Sequence, residues 1–475
     1  MIDDSEPSTP TIMAGGPGSG SGCRSGGYES LGDSAMPASS SHVEHLPGPK
    51  VTRGGRAAWR LAAAVAGARI REYCLDVDSE APGGARPTPP TAKHQVATDR
   101  DPSRAHWMEL FFDLIFVALV GQLAHGLHED PAIPDLLLFI ALFASVWWSW
   151  VNLTFAINVM PWLTRRRLAL VMLAAMFALG AIAVAAPEAT TERAWLFAAG
   201  NAALRLVLLL LWISQSWGSG TASRIRVTAY NGATAALWFA SVWVPAPWNF
   251  LLWGLAILVE VVLLVASSQS WANRVLANLN VEHLSERFGL LVVIVLGESV
   301  LAIVVALDEV WTTEAGLTAI LGLGTIALLA WSFFMYGTET MRNGLEGLRV
   351  AGDFRAIRDT VGFLPFLIVV GVTAISGALG TAIHHPDEPL PLASGISLCG
   401  GIALFYLTNA IISVRFGRPV GGVLRWALPA LVLTALLGVA AALLPAGATI
   451  LCAVAVLAFI VGSAELSDRR RLSAA

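Results

Sequence analysis

A chain of 475 residues that is 55% hydrophobic and only 13% charged, with mean hydropathy +0.65, is not an ordinary soluble domain, in which roughly 25% of residues are charged. The formal net charge of −4 says little as a total; its distribution along the chain carries the information. Cys23, Cys74, Cys399 and Cys452 lack metal-ligand spacing and read as small apolar residues.

Residues 1–105 read as a polar, Gly/Ser/Pro-rich tail. Stretches such as Gly15 to Gly22 and Pro37 to Ser41 lack the apolar side chains that offset chain entropy, so disorder is expected on the cytoplasmic side. No basic region followed by an apolar core marks a signal peptide. Residues 57–73 could form a short basic amphipathic helix on an anionic membrane surface, or a solvated stretch.

From residue 106 to 468 the chain is a series of apolar runs, each near the ~20 residues that a helix needs to cross ~30 Å of hydrocarbon. An all-α, polytopic transmembrane bundle of about 12 spans is expected. In chain order the runs are His106–Leu127, Ile133–Ile157, Leu168–Ala186, Ala194–Ser214, Val227–Val244, Asn249–Ser268, Phe288–Leu307, Ala315–Tyr336, Ile357–Ala382, Leu392–Val414, Val423–Leu444 and Gly447–Glu465. The last two are parted only by Pro445 and Ala446, which requires a tight hairpin.

Charge in the loops tests this count, because cytoplasmic loops hold the Lys and Arg. One set of alternate loops carries Arg165, Arg166, Arg167, Arg224, Arg226, Arg274, Arg287, Arg342, Arg349, Arg355, Arg358, Arg415, Arg418, Arg425, Arg469, Arg470 and Arg471. The other set is acidic and holds Arg193 alone. Both termini are therefore expected in the cytoplasm, with the protein in the inner (plasma) membrane.

The first and seventh spans open alike: His106-Trp-Met-Glu109-Leu-Phe111 and His283-Leu-Ser-Glu286-Arg287-Phe288 share H-x-x-E-x-F. Gly121-Gln122 resembles Gly297-Glu298 after a one-residue shift, and Trp148-Ser149-Trp150 resembles Trp331-Ser332-Phe333. A six-plus-six repeat would relate the halves by an axis along the membrane normal.

Ionisable side chains inside spans cost roughly 2.5–3.5 kcal/mol on insertion scales and usually face the bundle interior. Glu109 and Asp113 lie four apart on one face of the first span. Gln122 and His125 lie on roughly the opposite face. Glu298 is about ten residues into the seventh span, near the midplane at ~1.5 Å per residue. The transport reading takes Glu109, Asp113, Gln122, Glu298 and Ser299 as binding or translocation candidates, with Arg205 as counter-ion. The structural reading makes Arg205, Glu260, His283, Glu286 and Arg287 members of buried ion pairs. His384-His385 with Asp387 and Glu388 is more simply a solvated loop than a metal site, and Trp147, Trp148 and Trp150 are more simply packing than a cation cage. No cofactor, metal or nucleic-acid partner is implied, and no phosphate-cradling, hydrolase or zinc motif supports an enzyme. The expected partners are the lipid bilayer and a cation, proton or small-molecule substrate; the sequence does not give the oligomeric state.

Glu109-Leu-Phe-Phe-Asp113-Leu-Ile-Phe-Val117, together with His283-Leu-Ser-Glu286-Arg287-Phe288-Gly289 and Val295-Leu-Gly-Glu298-Ser299, resembles the bacterial low temperature requirement A family from about His106 to the C-terminus. The resemblance implies a multi-spanning inner-membrane protein linked by name to growth in the cold, without supplying a mechanism. Phe111-Phe112-Asp113 is also similar, with one mismatch, to the Phe-Ser-Asp of some potassium channels. A secondary transporter or ion-translocating protein is the leading expectation. A non-transporting sensor or scaffold for cold adaptation of the envelope is the alternative, and a cation channel a further one.

Overall fold

A computed structural model describes residues 107–127, 131–160, 163–215, 221–266 and 278–473. The expected tail, with its helix at 57–73, lies outside the described residues, as do His106 and Arg274.

Among the described residues the regular elements are all helical. The first six are α1 (Trp107–His125), α2 (Ile133–Val159), α3 (Arg165–Ala185), α4 (Ala194–Gln215), α5 (Thr221–Ser241) and α6 (Trp248–Val265). After α7 (Val281–Val310) and α8 (Thr313–Tyr336) come two short helices, α9 (Thr338–Val350) and α10 (Phe354–Arg358). A π-helical turn, Asp359–Phe363, joins α10 to α11 (Leu364–His384). Then follow α12 (Leu392–Arg415), α13 (Val420–Leu443) and α14 (Ala446–Ser473).

Eleven of these segments, counting Phe354–His384 as one, are long and apolar enough to cross a membrane. The protein is a polytopic all-α membrane protein. The span expected at Val227–Val244 is the exception. Its helix, α5, begins earlier, at Thr221, and takes in Arg224, Arg226, Thr228 and Asn231, which lower its hydropathy. Among the other differences, two change the reading of arginines. α7 starts at Val281 rather than Phe288, so Arg287 is a buried helical residue and not a loop base. The Arg-rich segment after α8, expected as a loop, folds as α9. Met341 and Leu345 are buried, and Leu348 packs beside them. These positions follow the i, i+4, i+7 spacing of one helix face.

The tight hairpin between α13 and α14 turns at Leu444 and Pro445. It is pinned to the preceding loop by Ala446 N–H donating to Glu388 O (2.8 Å) and Gly447 N–H to Pro386 O (2.9 Å). Caps set other helix starts: Asn280 accepts from His283 N–H, Thr312 from Ala315 N–H and Asp353 from Ala356 N–H.

α11 is the axis of the bundle, and nearly every side chain along it is buried. Its small residues allow close neighbours, as at membrane helix interfaces generally. A Cβ added at Gly371 would meet Gly401 O at 2.9 Å, so α12 passes almost backbone to backbone there. Pro365 has no N–H for the helix ladder and crowds the turn before it; the chain widens to π geometry over that turn. Trp147 Nε1–H donates to Gly362 O in the widened turn at 2.7 Å. Around it Phe116, Phe143, Trp147 and Trp150 form a buried aromatic core, with the half-buried Phe366 packed on it. On the outside, Leu424, Leu428, Val432, Leu436, Val439 and Leu443 of α13 form an exposed apolar stripe suited to lipid.

Packing partly repeats between the halves. α3 to α6 pack in chain order, as α11 to α14 do; α1 lies on α3 as α7 lies on α11, and α1 touches α7. The halves differ at the second helix. α2 enters the centre, against α1, α4, α6, α7, α11 and α12, whereas α8 packs on α7, α9, α11 and α14.

Candidate functional site

The two i, i+4 pairs on α1 and α7 interlock. Arg287, fully buried, donates from Nη1 to Glu109 Oε2 (3.0 Å), from Nη2 to Asp113 Oδ1 (2.9 Å) and from Nε to Asp113 Oδ2 (3.4 Å). His283, one turn earlier on the same face, holds Glu109 Oε2 at 3.1 Å through Nε2. α2 closes the cluster. Trp150 Nε1–H donates to Asp113 Oδ1 at 2.7 Å, and its ring lies 5.6 Å from the Arg287 guanidinium carbon.

Asn158 decides the form of His283. Its Oδ1 accepts from Asn280 N–H (3.0 Å) and its Nδ2 donates to Asn280 O (2.8 Å), so the amide has one orientation. The second proton of Nδ2 then points at His283 Nδ1, 3.1 Å away. Nδ1 is therefore an acceptor, and the ring donates through Nε2–H to Glu109. The result is a dry, directional network in which two carboxylates share one guanidinium. Glu286, between these residues in the motif, is exposed.

Arg205 does not meet this cluster, nor Glu298. On α4, it donates from Nη2 to Glu260 Oε2 of α6 (2.9 Å) and from Nη1 to Asn201 Oδ1 (2.8 Å). The Ser145 carbonyl of α2 also accepts from Nη2. The Trp238 ring of α5 lies under the guanidinium at 5.1 Å. Arg205 and Glu260 are both fully buried. The expectation that Arg205 is the counter-ion of Glu298, Glu109 or Asp113 is thus corrected: α4 faces α6 across α2, while α7 lies elsewhere.

Glu298 is placed differently. It is half-buried near the middle of the apolar part of α7, and no hydrogen bond or ion pair holds its carboxyl among the described residues. Its Oε1 lies where a side chain on Gly121 of α1 would begin, 2.0 Å from an added Cβ. The spacing that relates His106 to His283 relates Gly121 to Glu298, so the half lacking a side chain makes room for the half that carries one. Ser299 is buried and donates to Val295 O of its own helix (3.1 Å). Gln122 and His125 are exposed beside Gly121. His384, at the far end of α11, contacts Glu309 at 3.0 Å, and His385 is exposed. Among the described residues no group of three His, Cys, Asp or Glu could hold a metal ion.

The model of the bacterial low temperature requirement A protein family matches residues 104–461. The chain belongs to this family. An uncharacterised protein of Rhizobium meliloti is 26% identical to it over 318 residues, which cover 64% of this chain and 76% of that protein. The family match includes both ionic clusters and Glu298, and leaves the N-terminal tail outside.

Sequence reasoning missed Trp150, Asn158, Asn280 and Asn201 as cluster members. Asn280 carries a readable signal, an Asn just ahead of a helix start. The others are isolated polar residues within spans, whose role depends on which helix they face. Chemically, both clusters join helices, with Arg205 Nε and Glu260 Oε1 left without a hydrogen-bond partner among the described residues, while Glu298 presents a carboxyl at the α1/α7 seam.

Proposed function

We propose that this family member moves a proton or small cation across the inner (plasma) membrane, with Glu298 as the charge-bearing group. The observation that carries the reading is the contrast among membrane-embedded acids. Glu109, Asp113 and Glu260 are buried against guanidinium groups, whereas Glu298 sits at a seam between the two halves without such a partner among the described residues. A bare carboxylate at that depth costs several kcal/mol, and function is the usual reason such a residue is kept. The reading includes no catalysed reaction. The positive-inside pattern supports an orientation with both termini in the cytoplasm, which requires α5 to cross as a twelfth span. The test is flux in proteoliposomes containing the purified protein, over a panel of alkali cations and a pH gradient. A protein-dependent flux supports transport, and none above that of empty liposomes contradicts it.

A second reading is a non-transporting scaffold or sensor in the cold-adapted envelope. Both ionic clusters favour it, because dry, paired charges tie α1 to α7 and α4 to α6 as structural cross-links. Under this reading no flux exceeds that of empty liposomes, and Glu298→Gln leaves stability unchanged.

A further inference from the structure

We propose that Glu298 is a proton-binding site at the seam between α1 and α7, so that the ion it takes is H+ rather than a metal cation. This rests on the transport reading and names its ion. The argument begins with ligand number. Hard metal cations take about six to eight oxygen ligands. Among the described residues, Glu298 brings the one carboxyl found at this level of the seam. Gly121 opposite has no side chain, the Ser299 hydroxyl is turned to Val295 O, and the backbone carbonyls of α7 serve its own ladder. A proton needs one oxygen.

Access comes next. Glu298 is itself only half-buried, and Gly297 and Leu301 on α7 and Gln122 on α1 are exposed, so the site borders the outer surface of the bundle and not its buried axis, α11. Nearby charge does not occupy it. On α1 the titratable groups are His125, one turn beyond Gly121, and Glu109 and Asp113, both engaged with Arg287. On α7, Arg287 is eleven residues away, about 16 Å along the helix, while Asp308 and Glu309 lie at its far end. Of the other helices packed on α7, α8, α11 and α2 bring charge only near their ends, at Glu314, His384 and Asp135, and α9 carries Arg342, Glu346 and Arg349 beyond the end of α8.

A protonated, half-buried carboxyl at a lipid-facing seam is open to a lipid-soluble carbodiimide. The carboxyl oxygen bonds to the central carbon while its proton moves to nitrogen; nothing leaves, and acyl transfer to nitrogen gives a stable N-acylurea. The experiment treats the purified full-length protein in lipid vesicles with dicyclohexylcarbodiimide across a pH series and reads each acidic peptide by mass spectrometry. The peptide holding Glu298 is expected to gain one carbodiimide, severalfold less as pH rises, with Glu109, Asp113 and Glu260 unlabelled in the same sample. Labelling at those residues but not at Glu298, or labelling of Glu298 that does not change with pH, overturns the proposal. Labelled, pH-dependent Glu298 in a protein without flux leaves the proton site standing and removes the transport reading. Metal-cation flux with Glu298 unlabelled does the reverse.

Discussion

Arg287→Met would leave Glu109 and Asp113 buried without the guanidinium they share. Removing one partner of a buried ionic cluster costs about 3–5 kcal/mol, so this variant should melt well below wild type in detergent; unchanged melting would show that the cluster is not dry. The Arg205–Glu260 pair offers a double test. Glu260→Gln alone should destabilise by a similar amount, and adding Arg205→Met should recover part of the loss. Glu298→Gln differs from both, because no described partner is orphaned, and its melting should stay near wild type. At the surface, Arg349 donates two hydrogen bonds to Glu346 (2.8 and 2.6 Å), and these hold the Glu346 carboxyl below the usual range. A lowered folded value means that the pair supports α9 above the ordinary carboxylate range and stops doing so as pH falls through that lower value. Both groups are solvated, so Arg349→Ala should leave the melting curve at neutral pH within error of wild type.

At the scale of elements, the spans were legible because twenty apolar residues in a row admit few other structures. Charge pairing was legible only in part. The i, i+4 spacings of Glu109 with Asp113 and His283 with Arg287 mark two helix faces, but nothing in the sequence says that these faces meet. The partner of Arg205 was not legible either, since α4 and α6 are brought together by packing around α2. α9 was read as a loop because its arginines weigh on hydropathy, although Met341, Leu345 and Leu348 carry helical spacing. The π turn before Pro365 left only the proline as a sign. The α11/α12 crossing gives an element-scale test. Gly401→Leu would drive a side chain into Gly371 O, where even a Cβ would lie at 2.5 Å. Overpacking of this kind costs about 1–3 kcal/mol. A Gly401→Leu protein that melts like wild type would contradict the close approach.

For the whole molecule, the proposed orientation, with α5 crossing as a twelfth span, has His385 on the outer face. His385→Cys, in a background without the four native cysteines, should react with a membrane-impermeant maleimide on intact cells; reaction only after permeabilisation would invert the topology. On the transport reading, one membrane carboxyl works while the others hold the bundle together. This reading is tested most directly by measuring flux and melting temperature side by side for wild type, Glu298→Gln, and the Glu260→Gln, Arg205→Met double variant in proteoliposomes. The account predicts that Glu298→Gln melts like wild type and loses proton flux, while the double variant melts lower and keeps it. Wild-type flux in Glu298→Gln would contradict the account.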